Sequence, residues 1–89
     1  MPDDPRATAI ERLGQLRDCL RQGPSDLLGF VEQTEQVITA VEASHIEAVR
    51  FRLFGFRRQL NAYTGPLPDP TVELLDRATA ALQAAGFRI

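Results

Sequence analysis

Glu42 and His45 stand three residues apart, a spacing that brings both side chains to one face of a helix. Glu32 and Glu35 precede them on the same segment. Carboxylates and imidazole in this pattern make half the ligand set of a carboxylate-bridged di-metal site in a helical bundle, which a two-fold partner could complete. The full pattern needs a second Glu-x-x-His and further glutamates on facing helices. Here Glu35 lies seven residues before Glu42 on one segment, so Glu32, Glu35, Glu42 and His45 are metal or nucleotide-magnesium candidates of an alternative reading. His45 on its own reads as a helix-surface or capping residue. Cys19 lies between Arg17 and Arg21, which could lower a thiol pKa, but beside Leu20 on a helical stripe it reads as a small packed hydrophobe.

No Gly-rich phosphate loop, His-Glu-x-x-His pair or nucleophile triad occurs, so no cofactor is called for and a non-enzymatic role is the expectation. The more informative stretch is Arg50-Phe51-Arg52-Leu53-Phe54-Gly55-Phe56-Arg57-Arg58. Leu53 and Phe56 belong to a regular apolar line, whereas Phe51 and Phe54 point elsewhere, leaving a helix apolar on nearly every side at its middle. Arg and aromatic side chains are the types enriched in protein interfaces. Arg50, Phe51, Phe54, Phe56, Arg57 and Arg58 are therefore the interface candidates. The bland alternative is that neighbouring helices of the same chain bury both sides. A nucleic-acid adaptor surface on Arg50–Arg58 is a further alternative, weakened by four arginines without lysine support or a reading motif.

The elements that must position these residues follow from punctuation and period. Gly23-Pro24, the run Gly65-Pro66-Leu67-Pro68-Asp69-Pro70, and Gly86 divide 89 residues into segments rich in Ala, Leu, Glu, Gln and Arg. These are helix formers, and strand-like alternation is absent. The fold expected is all-α, a single domain over 1–89 forming an antiparallel bundle of three or four helices. A first helix starts near Asp3 or Asp4, with Pro5 at its first turn and Ala9, Ile10, Leu13, Leu16 and Leu20 inward. Gly23 reads as a left-handed stop. Leu27, Val31, Ile38 and Val41, widened by Phe30 and Val37, form a second line. Ile46, Val49, Leu53, Phe56, Leu60 and Tyr63 form a third, spaced 3, 4, 3, 4, 3. Val72, Leu75, Ala78 or Thr79, Leu82 and Ala85 form the last, ended by Gly86 with Phe87 folding back.

The second and third lines differ in phase by roughly 60° at 3.6 residues per turn. Ser44 with Glu47 fits a capping box, which favours a break near 43. No Gly or Pro lies between 30 and 54, however, so the favoured expectation is one helix over 24–63, bent around 42–45. Such a rod would reach about 60 Å and demand a second copy to cover it. A broken version would make a four-helix bundle able to stand alone.

Composition bounds the rest. With 44% hydrophobic and 25% charged residues the chain is too apolar for disorder. Ten arginines and no lysine against twelve acids give a net charge of −2, which argues against a generic polyanion or membrane binder. Asp26, Glu32, Glu35 and Glu42 crowd one segment, and Arg50, Arg52, Arg57 and Arg58 the next, so pairing between them is expected within a hairpin or across a two-fold axis. One cysteine excludes an internal disulfide, and the start of the chain lacks a basic stretch followed by an apolar run. The expectation is a cytoplasmic, homodimeric protein–protein interaction or regulatory adaptor.

Overall fold

In the computed structural model, which describes residues 4–89, the chain forms four helices and no strand among those residues. They are α1 (Pro5–Arg21), α2 (Leu28–Glu42, entered through a 3-10 turn at Ser25–Leu27), α3 (Ile46–Ala62) and α4 (Thr71–Ala84). The start considered at Asp3 lies outside the described residues. Asp4 caps α1, accepting from the Arg6 N–H at 3.0 Å, and Pro5 occupies the first turn where a missing N–H costs nothing.

The expected continuous helix over 24–63 is not formed. Two helices meet at a corner, and the cause lies in three backbone groups. Ser44 takes the left-handed conformation (φ 55°), its N–H donates to Val41 O at 2.9 Å, and the His45 N–H reaches back to Ala40 O at 3.0 Å. These two bonds satisfy carbonyls that α2 would leave bare, in the arrangement that glycine usually supplies. The same pair of bonds ends α4, with Gly86 (φ 95°) donating to Gln83 O and Phe87 to Leu82 O, both at 3.0 Å. The expected capping box is also not formed. His45, not Ser44, holds the N-cap position of α3 without a side-chain bond, and the Ser44 hydroxyl accepts from Arg6 Nη1 at 2.6 Å. That bond ties the corner to the start of α1.

Folding back at the corner gives dimensions of 39 × 26 × 17 Å and a radius of gyration of 12.4 Å. That radius is close to the roughly 12 Å of a compact chain of this length, and far from a 60 Å rod. α1 packs against both α2 and α4, and α2 packs against α3. The core takes Ala9, Leu13, Leu16 and Leu20 from α1, and Phe30, Val31, Val37 and Val41 from α2. α3 adds Val49, Leu53, Phe56 and Leu60, and α4 adds Leu75, Ala78 and Leu82. Phe30 meets Phe56 and Tyr63 edge-to-face at centroid distances of 5.9 and 5.7 Å. Buried Thr34 donates its hydroxyl to Phe30 O at 2.8 Å, so its burial leaves no unpaired oxygen. Phe87 folds back into the core as expected, whereas Val72 and Ile46, each placed on an inward line by period alone, are exposed.

Gly23 departs from its expected role. It has no positive φ. A Cβ there would lie 2.6 Å from Leu27 Cδ1 and 3.2 Å from the Pro68 ring, so a larger residue would displace the Leu27 side chain and crowd the Pro-rich turn before α4.

Candidate interaction surface

Because α1 takes both α2 and α4 as neighbours, α3 has one helix packed along it. No Cα of α3 comes within 8 Å of one in α4. Their gap is bridged by Arg57, which donates to Thr79 Oγ1 at 2.9 Å and sits 3.5 Å from Asp76 Oδ1. On the other flank, Arg52 donates to Gln36 at 2.9 Å and Gln33 to Gln59 at 2.7 Å, tying α3 to α2.

Those ties leave the outward face of α3 uncovered. Phe51 is 76% exposed and Phe54 69%, the two most exposed large apolar side chains among the described residues. A groove of about 520 Å³ runs between this face and the end of the chain, lined by Glu47, Arg50, Phe51, Leu53, Phe54, Arg57, Thr79 and Ile89. A smaller depression of about 310 Å³ lies on the α2 side, lined by Phe51 together with Gln33, Gln36, Arg52, Gly55, Phe56 and Gln59. Phe51 is thus a ridge between two hollows. Gly55 is not tightly packed, since a Cβ there would meet nothing within 4 Å.

The sequence candidates separate on this geometry. Phe51, Phe54, Arg50 and Arg58 share the outward part of α3 and are exposed. Phe56 is 1% exposed and packs on Phe30, so it is a core residue with nothing to offer a partner. Arg57 is spent largely within the chain on Asp76 and Thr79, although its edge still lines the groove. Among the described residues Arg50 and Arg58 form no ion pair, and neither does Glu47. The expected pairing of α2 acids with α3 arginines is not made within the chain. Glu35 lies 3.7 Å from Arg21 of α1, and Arg52 bonds an amide instead.

Glu32, Glu35, Glu42 and His45 are all exposed. Glu35 and His45 line one open depression with Arg52, and Glu32 and Glu42 are not part of it. No group of three or more His, Cys, Asp or Glu placed to hold a metal occurs among the described residues. Cys19 is half-buried with Sγ 3.6 Å from Thr71 Oγ1, between α1 and the start of α4. Among the described residues no helix is long and apolar enough to cross a membrane. Four residues that line the groove, Glu47, Leu53, Thr79 and Ile89, are not among the interface candidates of the sequence. Glu47 was read as part of a cap, and Ile89 reaches the groove only because the terminus turns back after Gly86.

Comparison with protein-family models, curated proteins and solved structures returned no match.

Proposed function

We propose that this chain is a small helical protein–protein interaction module, an adaptor or regulatory subunit, that acts as a homodimer through the outward face of α3. The observation that carries this reading is the pair Phe51 and Phe54, 76% and 69% exposed side by side on a chain whose core is complete without them. Adjacent exposed aromatics flanked by arginines have the composition of an interface centre, and leaving them in water forfeits about 2 kcal/mol each. A second copy resolves the mismatch noted in the sequence, a helix apolar on two sides with one side unserved by its own chain.

The test is light-scattering chromatography on the native chain and on Phe54→Asp, with circular dichroism to confirm that both fold. The native chain is expected at twice 9.9 kDa, about 20 kDa, and the folded variant at 9.9 kDa. Phe54 is outside the core, so the variant keeps its helices. A native chain at 9.9 kDa under all conditions would overturn the reading.

A further inference from the structure

Four residues of α3, Glu47, Phe51, Phe54 and Arg58, are spaced 4, 3 and 4 apart and are all exposed. At 100° per residue they fall within an arc of about 60°, so they form one stripe down the uncovered face. The stripe is symmetric in size and antisymmetric in charge. Its two aromatics stand at the centre, with one acid and one base equally far beyond them, about 8 Å along the axis on either side of the midpoint.

We infer that two copies of this chain pair through α3 in antiparallel register, about a two-fold axis midway between Phe51 and Phe54. This rests on the self-association proposed above and adds its partner geometry. In that register Phe51 faces the partner's Phe54, and Glu47 faces the partner's Arg58. The two-fold then repeats both contacts, as an isologous interface must.

The charges select this arrangement over the parallel one. Parallel α3 helices in register would set Glu47 against the partner's Glu47 and Arg58 against the partner's Arg58, two like-charge contacts across the same apolar centre. Among the described residues neither forms an ion pair within its own chain. Spacings of 4 and 3 are those of a coiled-coil seam, so the Phe side chains of one helix fall between those of the other. The hollows flanking Phe51 give room for its ring and for the partner's Phe54 beside it.

The test is a charge-reversal cycle read by sedimentation equilibrium at low salt: native chain, Glu47→Arg, Arg58→Glu, and the double reversal. Each single reversal replaces two attractive contacts by two repulsive ones and is expected to weaken dimerisation about tenfold, an effect that shrinks at high salt. The double reversal restores the pairing and is expected within about threefold of the native constant. Mixing the two single variants is expected to give a heterodimer tighter than either homodimer. If the native chain dimerises and Phe54→Asp abolishes it, yet the single reversals change nothing or the double reversal fails to recover, the antiparallel register is wrong while self-association stands. If the native chain does not dimerise, both fall.

Discussion

Replacing Ser44 by Gly and, separately, by Ala gives opposite orders of stability for a broken and a continuous helix. Ser44 sits at φ 55° in the corner between α2 and α3. A Cβ in the left-handed region costs about 1–2 kcal/mol, which Gly does not incur. Both variants lose the same hydroxyl contact with Arg6, so that loss cancels between them. The Gly variant is therefore expected to be more stable than the Ala variant by about 1 kcal/mol. In the interior of a straight helix the order reverses, because Ala exceeds Gly by about 1 kcal/mol. The two structures thus differ by about 2 kcal/mol in this one comparison, and in sign. Thermal unfolding at fixed protein concentration reads it, since 1 kcal/mol moves the midpoint of a domain this small by about 4–8 °C. A Gly variant that melts below the Ala variant would refute the corner.

Two other substitutions probe the packing that presents the surface. Gly23→Ala forces a Cβ to 2.6 Å from Leu27 Cδ1 and 3.2 Å from the Pro68 ring, and is expected to cost about 1–3 kcal/mol in urea unfolding; a neutral result would mean that the two turns do not approach closely. Phe56→Ala removes a 1% exposed ring and its edge-to-face contact with Phe30, and is expected to cost about 3–5 kcal/mol, whereas Phe51→Ala should cost the isolated chain less than 1 kcal/mol. Equal costs at 51 and 56 would contradict the orientation of α3.

The helices and most of the core were legible because a 3.6-residue period is written into them. Leu13, Leu16 and Leu20 line up without reference to the rest of the chain, as do Val49, Leu53, Phe56 and Leu60. Gly86 with Phe87 announced its terminating turn for the same local reason. The corner at 43–45 was harder, because Ser44 takes a conformation for which Gly or Asn is the usual sign. The change of phase between the two apolar lines was the true signal, and the missing glycine concealed it. Gly23 differs from its expected role because its constraint is tertiary crowding, by the Leu27 side chain and by the ring of Pro68, 45 positions away in sequence, and not a left-handed backbone. The double-sided apolarity of the Arg50–Arg58 stretch was visible, but not which side would be covered. That depends on α1 having both α2 and α4 as neighbours, a tertiary choice that leaves α3 open to the outside. Phe56 fell on the inward side of that division and Phe51 and Phe54 on the outward. The acidic candidates stay apart for a related reason: Glu32, Glu35 and Glu42 share one helix, and among the described residues the facing elements complete no group of three His, Cys, Asp or Glu around them.

The most direct test of α3 as a self-association surface is sedimentation equilibrium of the unaltered chain over a wide concentration range. The expected mass rises from 9.9 kDa toward twice that value and stops there, as a closed two-fold pair requires. A mass fixed at 9.9 kDa throughout, or one that climbs past the dimer without a plateau, would contradict it.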